Sequence, residues 1–138
     1  MNVRYTSLAV LLSATLLSAC SSAPEVVPSS GPRAPTSAEQ VKILQKEPKR
    51  YEKLGMVTVS RDEGASWSDK GDATAGFDIL KRKAAALGAN GLLLKVDAPH
   101  DPKRMILAGY HDEWYQIPVT TGTPPQGMAQ AIFVLSEE

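Results

Sequence analysis

DATAGFDILKRKAAALGANGLLLKVD, residues 72–97, carries the signals that set the fold. Asp72 stands where a helix N-cap is expected, just before an apolar-periodic run. Phe77, Leu80, Ala84 and Leu87 then recur at spacings of three and four, which places them on one face of a helix running to about Leu87. Asp78 and Arg82 stand four apart on the outer side, as a helical ion pair would. Gly88 follows where a helix commonly ends in the left-handed conformation. Asn90 can bond to backbone at the turn, and Gly91 lets the chain enter a strand. There Leu92, Leu94 and Val96 point one way, and Lys95 and Asp97 the other.

Working outward, Val41-Lys42-Ile43-Leu44 is short, apolar and β-prone, and Lys46-Glu47-Pro48-Lys49 breaks it. In Tyr51–Ser60, Val57 and Val59 alternate with Met56, Thr58 and Ser60, so one strand face is expected to be buried. Arg61 to Gly71 is polar and glycine-containing, a loop with Trp67 in its middle. Downstream, Met105–Tyr110 is a further candidate strand. TTGTPPQG, residues 120–127, is a turn, and Ala129–Leu135 is a closing strand. The expected order is β-β-α-β-(β)-β. One helix cannot cover both faces of a sheet, which points to an α+β fold: a small two-layer sandwich with one main helix on about three to five strands. The second sheet face is then polar or covered by long loops.

The 138 residues fit one domain. A composition of 43% hydrophobic and 22% charged residues argues against global disorder. Lys and Arg number 15, as do Asp and Glu, and the first 19 residues contain only Arg4 among them. No basic excess remains to neutralise phosphates, so nucleic acid is not an expected partner. The single cysteine cannot close an internal disulfide.

The amino-terminal stretch MNVRYTSLAVLLSATLLSAC has a basic start at Arg4 and an apolar run from Leu8 to Leu17. The run is too short to span a bilayer, which takes about 20 residues. It has the form of a signal peptide. Leu17-Ser18-Ala19-Cys20 resembles the lipobox of bacterial lipoproteins, in which cleavage precedes an invariant cysteine whose thiol accepts diacylglycerol. The resemblance implies a signal peptide over residues 1–19, lipidation of Cys20 and a membrane partner reached through the lipid. Ser21, where Asp would retain a lipoprotein in the inner membrane of a two-membrane cell, implies the outer membrane with the domain facing the periplasm. The remainder of the 20–38 region, including SSAPEVVPSSGPRAPTS, has the composition of a free Ser/Pro-rich tether. The folded domain is then residues 39–138.

No side chains assemble a nucleophile with a base, and no phosphate-cradling glycine loop occurs, so an enzyme is not expected. Nor is a cofactor. Trp67, Trp114 and Tyr115 are large aromatics in or beside predicted loops; they either cap the open edge of the core or anchor a protein partner. His100, His111 and Asp112 supply nitrogen and oxygen donors that a metal would use. No metal-ligand spacing joins them, so solvated loop residues are the preferred reading. Lys81-Arg82-Lys83 is most simply a solvated helix face. Oligomeric state is not set by any of these features.

YEKLGMVTVS at 51–60, LKRKAAALGANGLLLKV at 80–96 and AQAIFV at 129–134 together resemble a group of small bacterial envelope domains. In that group a Leu-Gly-x-Val strand precedes a helix ending in Lys-Ala-x-x-Leu-Gly-Ala-Asn, a hydrophobic strand and a last strand near Gly-x-Ala. It includes the Rcs phosphorelay sensor lipoprotein and the YbjQ-type proteins described as heavy-metal-binding. The resemblance implies an envelope sensor or adaptor working through contacts with other envelope proteins, with a small metal- or ligand-binding lipoprotein as the alternative. The paired cysteines of the Rcs sensor domain have no counterpart here, which speaks against disulfide-gated sensing.

Overall fold

A computed structural model of the chain describes residues 23–29, 31–95 and 103–136. In chain order its elements are β1 (Glu25–Val27), β2 (Lys42–Leu44), β3 (Arg50–Val59), β4 (Gly71–Asp72), α1 (Thr74–Ala86), β5 (Gly91–Leu93), β6 (Lys103–Tyr110), β7 (Glu113–Thr120) and β8 (Gly127–Ser136). Short 3-10 turns occupy Ala38–Gln40 and Arg61–Glu63. All eight strands join one mixed sheet that does not close into a barrel. This corrects the expected α+β sandwich of one main helix on three to five strands. Strand accounts for 44% and helix for 18% of the described chain, so the protein is predominantly β.

Three strands account for the difference. β7 carries Glu113, Gln116 and Pro118, which hide its alternation, yet it pairs with β6 from Tyr110↔Glu113 to Lys103↔Thr120. β4 is only two residues long and joins β6 in parallel. β1 lies in the Ser/Pro-rich stretch and runs parallel to β3, from Glu25↔Arg50 to Val27↔Glu52. The 20–38 region, whose composition suggests a free tether, is therefore joined to the domain at β1, and again at Arg33 and Thr36.

β8 is the spine of the sheet. One edge pairs with β3 from Arg50↔Ser136 to Val59↔Gly127. The other edge is divided. Its start meets β7 at Val119↔Gly127, and further along it meets β5 from Leu93↔Gln130 to Gly91↔Ile132. From β7 the sheet continues through β6 to β4. β2 extends the sheet beyond β5 in parallel register.

The helix forms much as its spacing predicts. Phe77, Leu80 and Ala84 are fully buried in the main core with Val57, Val59 and Leu92. Leu87 departs from that face and is 39% exposed. The N-cap position is Ala73, and Asp72 acts from one residue further out, its Oδ1 accepting hydrogen bonds from the Thr74 amide and hydroxyl. Gly88 adopts φ +84. Its amide donates to the Ala85 carbonyl and the Ala89 amide to the Ala84 carbonyl, the Schellman arrangement that satisfies the last helical turn. Asn90 ties this turn to the sheet, accepting from the Val134 amide at 2.7 Å and donating to the Val134 carbonyl at 3.3 Å.

β5 is shorter than its sequence suggests, ending at Leu93, and it is buried on both faces. Leu92 and Leu94 enter the main core; Leu93 joins Tyr51 and Ile132 in a second cluster across the sheet. That cluster covers part of the face left open by a single helix. Val96 and Asp97, expected to continue this strand, lie outside the described residues.

Candidate functional site

The helix projects Phe77 into a group of aromatic rings. Trp67 meets it edge-on, with centroids 5.6 Å apart and planes at 80°. Tyr110 from β6 and Tyr115 from β7 approach at 5.3 and 5.8 Å. Such offset and edge-to-face contacts suit the ring quadrupole. Trp67 is only 6% exposed, and its indole N–H donates to the Val59 carbonyl at 2.9 Å. Two glycines make room for it: a Cβ on Gly76 would fall 2.5 Å from the indole, and one on Gly127 2.4 Å. Trp67 is thus a core residue with its single donor satisfied, which removes it from the partner-binding candidates.

The other two aromatic candidates lie on opposite faces of the β6–β7 hairpin. Strand alternation sends Ile106, Ala108, Ile117 and Val119 inward to the main core, with Tyr110 and Tyr115 packed against it. The same alternation turns Met105 and Trp114 outward, where they are 53% and 54% exposed. Trp114 sits opposite Gly109, and its ring edge fills the space above that glycine. These are the two most exposed large apolar side chains among the described residues, which makes this face the strongest contact candidate.

The hairpin turn is formed by His111 and Asp112. His111 takes φ +53, and its amide donates to the Thr74 hydroxyl at 3.3 Å, joining the turn to the start of the helix. Its ring lies 4.4 Å from that of Tyr110. Among the described residues, no three His, Cys, Asp or Glu side chains are grouped as a metal ion would need. His100 and Cys20 lie outside the described residues.

Hydrogen bonds and burial hold the two hairpin phenols in their neutral form. Burial, together with the bond from its hydroxyl to Asp78 at 2.9 Å, pushes Tyr110 up to about 12. The hydroxyl of Tyr115 donates to Glu113, and that bond followed by burial raises it to about 12 as well. Asp78, expected to pair with Arg82, is used here instead. Hydrogen bonds from Thr74 hold Asp72 below the usual carboxylate range, with a smaller contribution from His111. These shifts favour fixed donors and acceptors over a group poised to exchange a proton near neutrality.

Beside the phenols, Glu39, Asp78, Lys81, Arg82 and Tyr110 line an open groove of about 440 Å³. Its lining carries charges of both signs. Lys81 donates to the Tyr110 hydroxyl at 3.4 Å, with its ammonium 5.4 Å from the ring centroid. Lys83 reaches the Thr58 carbonyl at 2.7 Å and pairs with Glu63 at 2.6 Å. The basic run on the helix is therefore largely engaged within the domain.

No protein-family model, curated protein or solved structure matches the chain.

Proposed function

We propose that this is a non-catalytic envelope lipoprotein, anchored through Cys20 in the outer membrane and facing the periplasm, that acts as a sensor or adaptor by contacting other envelope proteins. The contact surface in this reading is the outer face of the β6–β7 hairpin, with Trp114 as its anchor and Met105 further along the same face, opposite Pro118. The observation that carries it is the 54% exposure of Trp114 on the outward face of a hairpin whose inner face is buried in the main core. Tryptophan is enriched at the centres of protein interfaces because it buries a large area with few torsions to fix. The lipobox-like sequence supports the anchoring, and the quoted resemblance to envelope sensor domains supports the mode of action.

In-cell photo-crosslinking tests this reading. A crosslinking residue at position 114 is expected to capture a defined set of envelope proteins, whereas one at Gly122, in the turn before β8, captures none of them. Met105→Asp is expected to abolish the capture at 114. Equal capture from both positions, or capture untouched by Met105→Asp, would overturn the assignment of this face.

A further inference from the structure

The segment before the first core strand is fastened to the domain at three points. β1 adds to the free edge of β3, with the Glu25 amide donating to the Lys49 carbonyl at 2.8 Å. Arg33 then reaches inward to Glu52, a carboxylate only 2% exposed, through Nη2 at 2.7 Å and Nε at 3.2 Å. Its guanidinium also lies 3.7 Å from the centroid of the Phe133 ring. Finally Thr36 closes the end of the helix. Its amide donates to the Ala85 carbonyl at 2.9 Å, sharing that oxygen with the Gly88 amide, and its hydroxyl donates to the Ala89 carbonyl just past the helix. Gly88 makes this passage possible, since a Cβ there would lie 2.4 Å from that of Arg33. A buried carboxylate answered by an arginine from the strap, and carbonyls at the helix end answered by a threonine from it, make the segment part of the fold.

We propose that this strap holds one end of the domain against the bilayer surface in a set orientation. The proposal rests on the reading of Cys20 as the lipidated residue. From Cys20 to Glu25 is five residues, a contour of at most about 17 Å. A tether free as far as Ala38 would instead allow about 60 Å. The short leash leaves the domain at Glu25, beside Arg50 and Ser136 at one end of the β3–β8 pair. Lys46, Lys49 and Arg50 are exposed at this end, Arg50 at 3.8 Å from the exposed Glu25 carboxylate, with the apolar side chains of Val26 and Leu135 also partly open. Such a surface can rest against a headgroup layer, and the short leash sets the bearing. The opposite end, with the turn at residues 121–126, lies the length of β3 away, ten residues or about 30 Å. The strap thus turns a flexible anchor into a fixed bearing, with the far end of the sheet directed away from the lipid.

Energy transfer from the acylated full protein to the membrane tests this. A single fluorophore is placed at Lys49→Cys or at Gly122→Cys, the latter a position with room for a side chain. The protein is reconstituted in phosphatidylcholine vesicles carrying a headgroup-labelled acceptor lipid. Transfer from position 49 is expected to exceed that from position 122 severalfold. Ten Gly/Ser residues inserted between Ser22 and Ala23 leave the strap intact and lengthen the leash, and are expected to bring the two sites close together. Equal transfer without the insertion, or a difference that survives it, overturns the strap. The mass of the amino-terminal peptide reads the anchoring separately. An acylated Cys20 with equal transfer overturns the strap alone, whereas an unacylated chain overturns the anchoring and the strap with it.

Discussion

Trp67 and Trp114 both sit in polar surroundings in the sequence, yet the fold gives them opposite environments. Trp67 is enclosed between Phe77 and two glycines, with its N–H bonded to Val59. Trp114 lies on the outer side of a hairpin, over Gly109, with more than half its surface in solvent. The difference comes from what each glycine admits. Gly76 and Gly127, distant in sequence, open a slot in the core for one indole, while Gly109 offers the other only a shallow rest. One tryptophan therefore maintains the fold, and the other is left in solvent, the surface on which the proposed function rests.

The largest expected effect follows from emptying the slot. Trp67→Ala should cost about 3–5 kcal/mol in urea unfolding, the usual result for deleting a buried large aromatic. A loss under 1 kcal/mol would place Trp67 outside the core. Arg33→Ala comes next. It leaves Glu52 buried without its arginine, but because Arg33 is partly exposed the cost should fall below that of a fully buried pair, to about 2 kcal/mol. Double replacement with Glu52→Gln should recover part of it. Gly127→Ala narrows the indole slot instead of emptying it and should cost about 1–3 kcal/mol by overpacking; Trp67→Phe in the same chain should offset part of that loss.

Titration separates the two regions in another way. Tyr110 and Tyr115 ionise later in the folded protein than in the unfolded chain, where the ordinary value is 10.0. Their contribution to stability is therefore fully present below about pH 10 and lost as pH rises towards about 12. Tyrosinate absorbance should show two late-titrating phenols, and Tyr110→Phe with Tyr115→Phe should flatten the alkaline fall in stability. The smallest effect is expected at the other tryptophan: Trp114→Ala should change unfolding free energy by no more than about 0.5 kcal/mol, as for other surface substitutions.

Much of the helix and its exit was legible in the sequence because local rules govern both. Phe77, Leu80 and Ala84 follow the helical period, and Gly88 is in the left-handed conformation its place demands. Long-range relations were less visible. β7 looks like a loop because Glu113, Gln116 and Pro118 interrupt its pattern, and only pairing with β6 reveals it. Leu93 is buried because Tyr51 and Ile132 cover the second face, a fact no window around residue 93 contains. The strap has the composition of a disordered linker; its order comes from Glu52 and the helix end, both far along the chain. At the candidate site, Trp114 and Tyr115 were proposed by residue type alone, a criterion that cannot separate exposed Trp114 from buried Trp67. Tyr110 and Asp78, which organise the groove beside the hairpin, were missed because their partnership spans 32 residues.

The division of labour between the two indoles is tested most directly by acrylamide quenching of the two single-tryptophan proteins. With Trp114→Phe, the remaining Trp67 should emit at short wavelength and resist quenching until the protein unfolds. With Trp67→Phe, the remaining Trp114 should emit like an indole in water and be quenched severalfold more strongly in the native state. Equal quenching of the two, or protection of Trp114, would contradict the account.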